Sequence, residues 1–230
     1  MRVLTWNLFH GRSLPASREQ LPACFAAKLA EWEWDLALLQ EVPPWWPAAL
    51  AQACAAEQRS VLTSRNSLLP LRRAVAQRHP ELIKSNGGGC NAVLSRVPIA
   101  AHSTECLRLW PERRVAQLLR LADGTCVVNV HASTRRARAE QELARLWERA
   151  LEWAGPAAPL IVGGDLNLRD PSAPSDRIAH LAGAHVDHLF ARGLAREGDP
   201  ELLDRHVTHG SRRRELSDHA PLRVCVGIPR

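Results

Sequence analysis

The amino-acid sequence predicts an α/β protein of the α+β type, in which helices cover mixed β-sheets. Apolar segments with strand composition outnumber the helical ones. A hairpin signal at Asp123-Gly124 joins two of the strands. Helical segments connect several of the others. Hairpins mixed with helical connections favour mixed sheets over a purely parallel, doubly wound sheet.

In the N-terminal half, strand-like and helix-like segments alternate. The predicted elements are a strand at Val3–Trp6, a helix at Gln20–Trp34, a strand at Leu36–Gln40, a helix at Pro47–Ala56 and a strand within Asn91–Ile99. Proline in the first turn of the second helix is typical of a helix start. The weakly patterned segment from Ser64 to Ser85 is predicted to be loop-rich, and Asn86-Gly87-Gly88-Gly89 predicts a turn.

In the C-terminal half, strands again predominate. The predicted elements are strands at Val115–Leu121 and Cys126–Val130, a helix at Glu140–Trp153, and strands at Leu160–Val162, Val186–Phe190 and Leu222–Val226. The helix has the spacing of a single apolar face, formed by Leu143, Leu146, Trp147, Ala150 and Leu151.

Length and composition are those of one globular domain spanning residues 1–230. The chain has 230 residues, of which 46% are hydrophobic and 23% charged, without repeats or a linker rich in proline, glycine or serine. No apolar stretch approaches the roughly 20 residues of a membrane span, so no membrane insertion is expected. Strand residues begin at Val3, which leaves no room for a secretory signal.

The cysteines and the charge narrow the class further. None of the six cysteines forms a CxxC pair, so we expect reduced, buried thiols in a cytoplasmic protein and no zinc site or disulfide framework. The net charge of +6 permits a phosphate-bearing partner without requiring one. No obligate protein partner is evident.

Polar side chains lie at the ends of five of the predicted strands. They are Asn7 in "VLTWN", Gln40 and Glu41 in "LALLQE", Asn129 and His131 in "CVVNVH", Asp165 and Asn167 in "LIVGGDLN", and Ser217, Asp218 and His219 before the last strand. A buried carboxylate is costly unless it is paired or bound to a metal. One such strand end could simply cap a turn. Five of them suggest a shared polar floor.

The residue types on this floor indicate a chemistry. Oxygen ligands without a cysteine-histidine cluster fit Mg²⁺ or Mn²⁺ better than zinc. Such an ion typically neutralises phosphoryl oxygens and helps to orient an attacking water. A histidine with a pKa near neutral can then act as acid, base or hydrogen-bond donor.

Seven motifs in order carry a family resemblance. "TWN", "QE", "CNAVLSRVPI", "NVHAS", "GGDLN", "VDHLF" and "SDHAPL", from Asn7 to His219, resemble the endonuclease/exonuclease/phosphatase family of metal-dependent phosphoesterases. The resemblance implies a DNase I-like four-layer sandwich, with two packed sheets and helices outside. It also implies that Glu41 is the main metal ligand, that Asn7 supports it, and that Asp218 lies near the metal.

The same resemblance assigns the chemical steps. Asp165 would orient or deprotonate the attacking water, and Asn167 would hold a phosphate oxygen or the water shell of the metal. His219 would contact the scissile phosphate, with its tautomer fixed by Asp187. His131 would bond a phosphate oxygen or assist the leaving group. Because the segment between Asp165 and Asp187 is short for the family, His188 and Asp176 stay open as alternatives to Asp187.

Arginines and tryptophans are the candidates for substrate contacts. The arginines predicted at the rim of the site are Arg114, Arg135, Arg212, Arg213 and Arg214. Guanidinium groups pair well with phosphates, so this rim favours a polyanionic substrate. Trp45 and Trp46 could stack on bases, dip into a membrane or hold the following helix. The remaining histidines without a motif, His10, His102, His180, His206 and His209, are expected to be surface or structural residues.

The sequence therefore predicts a cytoplasmic Mg²⁺- or Mn²⁺-dependent phosphoesterase that cleaves phosphodiester bonds by in-line attack of water, acting as a nuclease. Alternatives within the enzyme class are a phosphomonoesterase and a lipid phosphodiesterase. A catalytically silent module that binds nucleic acid or protein is the alternative outside it.

Overall fold

The computed structural model describes residues 1–63, 66–79 and 89–229. Within these ranges the strands are β1 (Arg2–Asn7), β2 (Ser13–Leu14), β3 (Leu36–Val42), β4 (Glu57–Leu62), β5 (Cys90–Ser95), β6 (Ile99–Arg108), β7 (Arg114–Leu121), β8 (Cys126–His131), β9 (Leu160–Asp165), β10 (Ala179–Ala184), β11 (Asp187–Arg192), β12 (Ala195–Leu202), β13 (His206–His209), β14 (Arg212–Leu216) and β15 (Leu222–Gly227). The helices are α1 (Pro22–Glu31), α2 (Pro47–Ala53), α3 (Leu69–Arg78) and α4 (Arg136–Ala154), with a 3-10 turn at Phe9–Gly11.

Two six-stranded sheets form the body of the protein. The first sheet has the strand order β12-β15-β1-β3-β5-β4, and the second has the order β10-β11-β9-β8-β7-β6. A small third sheet joins β13, β14 and β2. Neighbours are parallel at β1–β3 and β8–β9, and the other described pairs are antiparallel. The predicted mixed sheets are confirmed.

Alternating side chains divide the core into three apolar layers. Along β1, Val3 faces the second sheet, whereas Leu4 and Trp6 face outward. The outer face of the first sheet packs against α1 and α2. The outer face of the second sheet packs against α4. The order helices, sheet, sheet, helix confirms the predicted four-layer sandwich.

Buried amides join the two sheets near the ends of their central strands. Gln40 Nε2 of the first sheet donates to Asn129 Oδ1 of the second at 2.8 Å. Asn129 Nδ2 in turn lies 3.1 Å from Leu39 O, Ala92 O and Gln117 Oε1. A buried amide is tolerated only when it is hydrogen-bonded. These two motif residues therefore fix how the sheets dock, rather than lining the open site.

Several elements differ from the sequence-based prediction. The expectation of loop between Ser64 and Ser85 is wrong over α3, a helix in which only Ala76 is buried, so no apolar period announces it. Strands β2, β4, β10, β12, β13 and β14 and most of β6 were not predicted, because no more than half of the residues in each of them are buried. Residues 86–88 of the predicted turn lie outside the described residues.

The long helix also begins earlier than expected. α4 starts at Arg136 rather than Glu140, whereas α1 and α2 are shorter than their predicted ranges. Such shifts at helix ends are common, since the terminal turns carry little apolar signal. Among the described residues, no helix combines the length and the apolar character needed to cross a bilayer.

Candidate active site

The polar strand ends meet at one end of the two sheets. In the second sheet, the register places His131 of β8 and Asp187 of β11 on either side of Asp165 in β9. In the first sheet, Asn7 of β1 lies opposite Gln40 of β3. Asn7 Nδ2 donates a 2.8 Å hydrogen bond to Asp165 Oδ2 and so joins the two edges. The structure brings together residues from all the strand ends that the pattern singled out, with Gln40 and Asn129 buried in the contact between the sheets.

Glycine and a tight turn explain the local sequence "GGDLN". A Cβ on Gly164, which has φ +135°, would lie 2.0 Å from Val130 O, so β8 and β9 approach closely only because this position is glycine. Asp165 Oδ1 accepts the backbone N–H of Asn167 at 3.0 Å. Asn167, at φ +51°, donates from Nδ2 to Ala132 O at 2.9 Å. Asp165 therefore both caps the turn and presents its second oxygen to the site.

Asp165 is the buried centre of the site. Besides the bond from Asn7, its Oδ2 lies 3.5 Å from His131 Nε2 and 3.9 Å from His219 Nε2. Burial and the neighbouring carboxylate of Asp187 raise the pKa of Asp165. Burial likewise holds the pKa of His131 well below its usual range. A carboxylate with raised basicity is suited to accept a proton from a bound water.

The loop before β15 is anchored to β1. Ser217, in the left-handed region at φ +68°, donates from Oγ to Asn7 O at 2.6 Å and accepts the backbone N–H of His219 at 3.0 Å. Trp6 Nε1 donates to His219 O at 3.0 Å. These bonds fix the position of the His219 backbone at the polar end of the first sheet.

His219 and Asp187 form the hydrogen-bonded pair of the site. His219 Nδ1 lies 2.7 Å from Asp187 Oδ2, which leaves Nε2 directed towards Asp165. The two alternatives are elsewhere: His188 Nε2 bonds Leu168 O at 2.8 Å, and Asp176 is exposed. Burial alone would lower the pKa of His219, but the bond to Asp187 and the surrounding acidic charges raise it to about 9.

Glu41 lies at the open side of the site, in contact with His10, which the sequence analysis did not assign to the site. His10 Nε2 is 3.0 Å from Glu41 Oε2, and His131 Nε2 is 3.8 Å from Glu41 Oε1. Burial raises the pKa of Glu41, but the bond and charge of His10, together with the other histidines, outweigh it and lower the value to about 2. The sequence analysis expected His10 to be a surface or structural residue, and the structure places it half-buried and in contact with this candidate metal ligand. Its position three residues after Asn7 was the available signal.

A strained turn carries His10 to Glu41. Phe9 and His10 have φ values of +49° and +53°. A Cβ on the following Gly11 would lie 2.2 Å from the ring of Trp46, so this turn rests directly on that side chain. Trp46 is buried and Trp45 packs partly against the same cluster. Of the three roles considered for these tryptophans, the structure supports packing against the core.

The donor set fits an oxygen-bound divalent cation. Glu41 and Asp218 offer carboxylate oxygens at the mouth, and Asp218 is 41% exposed. Asn7 Oδ1 also lies here and accepts the N–H of Phe9 at 2.9 Å. Asp165, Asp187 and His219 bring further ligand atoms within 4.8 Å of one another. Oxygen donors in this proportion suit hard cations.

Two of the predicted rim arginines lie near His131, Arg114 in the fold and Arg135 along the chain. Arg114 is buried, its Nη2 lies 2.7 Å from Glu112 Oε2, and its charge is second to burial in lowering the pKa of His131. Arg135 is exposed at the N-cap of α4, four residues beyond His131.

The other three arginines lie on a separate hairpin. Arg212 and Arg213 are exposed on β14, whereas Arg214 is buried. Arg214 Nη1 donates to Pro15 O at 2.7 Å and to Ala16 O at 3.2 Å. The three side chains are not gathered around Asp165, and Arg214 is committed to holding the neighbouring turn.

Proteins of known structure share this fold. The chain is similar to an endonuclease/exonuclease/phosphatase from Beutenbergia cavernae (TM-score 0.73, 18% identity, 99% of this chain and 71% of the other). TDP2 from Caenorhabditis elegans gives a TM-score of 0.70 at 17% identity over 97% of this chain and 73% of the other. A mannosyl-6-phosphatase from Bacteroides thetaiotaomicron gives 0.72 at 15% identity over 99% and 100%.

Sequence comparison identifies the family directly. No curated protein has a significant sequence match to the chain. The model of the "Endonuclease/Exonuclease/phosphatase family" matches residues 4–219, nearly the whole chain. Together with the joined strand ends, this match means that the chain belongs to the endonuclease/exonuclease/phosphatase family and is a metal-dependent hydrolase of phosphoric esters.

Proposed function

We propose that this enzyme hydrolyses phosphodiester bonds in nucleic acid by direct in-line attack of water, with Mg²⁺ or Mn²⁺ as its cation. The observation that carries the proposal is the arrangement around Asp165. Asp165 accepts a bond from Asn7 and lies close to His219 of the His219–Asp187 pair and to His131, which in turn lies 3.8 Å from Glu41. A group that can activate water, a hydrogen-bond donor for the phosphate and ligands for the cation therefore lie close together.

The side chains divide the reaction between them. Asp165 accepts the proton of the attacking water, because burial has raised its basicity. His219, held through Nδ1 by Asp187, donates from Nε2 to a non-bridging oxygen of the phosphate. His131 contributes a neutral imidazole that bonds a phosphate oxygen or the leaving group. The Ser217 hydroxyl already donates to Asn7 O, which supports water rather than serine as the nucleophile.

Glu41, Asn7 and Asp218 are the side chains that would hold the cation. When bound, a divalent cation supplies positive charge that stabilises the phosphoryl oxygens as the ester bond breaks. The oxygen donors support Mg²⁺ or Mn²⁺ over zinc. Asn167, whose side chain bonds Ala132 O, keeps its amide oxygen for a phosphate or for the water shell of the cation.

Charge and cysteine chemistry support the choice of substrate and compartment. The net charge is +6, and Arg135 is exposed four residues beyond His131. The six cysteines are unpaired, which supports a reducing compartment such as the cytoplasm. A phosphomonoester is the second candidate substrate, favoured by the fold shared with a protein named as a mannosyl-6-phosphatase over the whole of both chains.

An activity panel tests the proposal. Supercoiled DNA, abasic duplex DNA, RNA, a phosphomonoester and a lipid phosphodiester are each incubated with Mg²⁺, with Mn²⁺ and with EDTA. We expect cation-dependent cleavage of a nucleic acid and its loss in Glu41→Ala and His219→Ala. Turnover of the phosphomonoester or the lipid alone would transfer the function to that class. Binding of nucleic acid without cleavage of any substrate would indicate the silent module.

A further inference from the structure

The tip between β6 and β7 exposes two large apolar side chains. Trp110 is 81% exposed and Leu109 is 76% exposed. The other seven tryptophans of the chain are buried or half-buried. Exposing a tryptophan forgoes about 2 kcal/mol of burial, so such a side chain at the rim of a site indicates a contact with another molecule.

This tip lies beside the catalytic centre. Arg108, two residues before Trp110, pairs with Arg114 across the hairpin. Arg114 lies close enough to His131 for its charge to lower the pKa of that histidine. The strands β6, β7 and β8 are consecutive neighbours, so β6 runs about 10 Å from the strand that carries His131. A substrate group adjacent to the scissile phosphate could therefore reach Trp110.

The tip is held in place by a bond network that also reaches the site. Arg108 Nε donates to the buried carboxylate of Glu142 on α4. The same carboxylate accepts the backbone N–H and the hydroxyl of Ser133 at 2.7 Å each. Ser133 follows His131 by two residues, so the tip and the catalytic strand end share one anchor. Trp110 also lines an open pocket of about 580 Å³ whose other wall includes Gln141 and Arg145.

Two arginine side chains near this tip in the chain or in the fold have no partner within the described ranges. Arg113, three residues after Trp110, is exposed and makes no hydrogen bond or ion pair with the part of the chain that the structure describes. The guanidinium group of Arg135, at the start of α4, likewise has no partner among the described residues, although the carbonyl of Arg135 accepts the N–H groups of Arg138 and Ala139. Glu112 is nearby, but it is already paired with Arg114 at 2.7 Å. The tip thus carries an exposed aromatic face and, three residues further along the chain, a guanidinium group without a partner.

We propose that Leu109 and Trp110 form a stacking platform for an unpaired nucleobase next to the scissile phosphate, with Arg113 contacting the adjoining backbone. A single-stranded nucleic acid alternates flat rings with phosphates, and an aromatic side chain beside a free cation matches that alternation. Stacking accepts any base, because every base has a π face. The platform rests on the proposed nucleic-acid function and narrows it to single-stranded or frayed substrates.

A membrane surface fits this tip less well. Interfacial anchoring needs a broad apolar face with several basic residues around it. Here two apolar residues stand alone, and the flanking Arg108 and Arg114 are already engaged by Glu142 and Glu112.

The test separates binding from cleavage. Full-length protein in EDTA is titrated into a fluorescein-labelled 12-mer of single-stranded DNA, and anisotropy is recorded. A second 12-mer carries abasic residues throughout and so keeps the phosphates without the bases. Trp110→Ala should weaken binding of the normal strand about 5- to 150-fold, the loss expected from one stacked base, and leave the abasic strand unaffected. Trp110→Phe should restore most of the affinity.

Controls show whether the platform or the general surface is responsible. Leu202→Ala removes an exposed apolar side chain from β12 of the first sheet and should change nothing. Binding of the normal strand should also quench tryptophan emission in the wild type more than in Trp110→Phe. Three results would each overturn the inference. They are wild-type affinity in Trp110→Ala, no binding of the strand by the wild type, and a defect of Trp110→Ala only towards phosphatidylserine vesicles. Cation-dependent cleavage of DNA by the wild type in any of these cases would leave the proposed function standing.

Discussion

Replacing Asp187 with asparagine should slow hydrolysis about 100-fold while leaving the fold and the KM nearly unchanged. The carboxylate of Asp187 is buried and lies 2.7 Å from His219 Nδ1. Asparagine has the same shape, but it carries no charge and can present an N–H where the imidazole N–H now points. The expected result is a histidine that binds its proton less tightly and is held in the wrong tautomer.

The structure sets the size of the effect. Burial opposes protonation of His219, yet the bond and charge of Asp187, with help from Asp165 and Asp218, raise its pKa from 6.5 to about 9. That difference corresponds to about 3 kcal/mol in favour of the imidazolium. Asp187 supplies the largest favourable contributions to this net value, so its loss should remove most of it, up to about two powers of ten in kcat where the imidazolium is required.

The assay is the kcat of phosphodiester cleavage as a function of pH. In the wild type, His219 stays protonated up to alkaline pH. In Asp187→Asn it loses the proton at lower pH, so the alkaline limb of the kcat profile should move downwards in pH. Asp176→Asn is the matched control, because that aspartate is exposed and is not among the groups that shift the pKa of His219. Equal kcat values and superimposable pH profiles for wild type and Asp187→Asn would refute the role of this pair.

Three further predictions concern the cation, the hairpin and the pH. His10→Ala should weaken Mn²⁺ binding about 10- to 100-fold by electron paramagnetic resonance, because His10 orients the Glu41 carboxylate; unchanged affinity would contradict this. Arg214→Ala should lower the melting temperature by about 2–10 °C through two lost bonds to backbone carbonyls, whereas Arg213→Ala should not. Burial lowers the pKa of His188, so the unfolded chain takes up its proton first as pH falls. In urea titrations, the free energy of unfolding of the wild type should therefore fall relative to that of His188→Asn as the pH goes from 7 to 5.

The sequence revealed those strands that are buried on both faces. β1, β3 and β9 read as apolar runs because they lie between two packed layers. β12, with the sequence "AREGDPEL", lies at a sheet edge with most side chains exposed, so its hydrogen bonds to β15 leave no trace in the composition. The helix α3 escaped notice for the same reason.

Candidate site residues were predictable where a single polar residue ends an apolar strand. Glu41 and Asp165 follow buried strands, and the order of motifs was enough to group them. The contact of His10 with Glu41 depends on two left-handed residues in the turn, and no local pattern announces that geometry. Arg213 and Arg214 show a similar limit. Both are arginines and adjacent in the chain, and only the packing of β14 leaves one exposed and buries the other.

The proposed catalytic groups are divided between the two sheets, so the rate of turnover should report how the two halves of the sandwich pack against each other. Asn7 and Glu41 belong to one sheet, and Asp165 and Asp187 to the other. A swollen state with every strand intact would keep its circular dichroism and still be inactive, since a shift of an ångström or two would part the partners. On gradual denaturation, loss of cleavage should therefore precede loss of secondary structure.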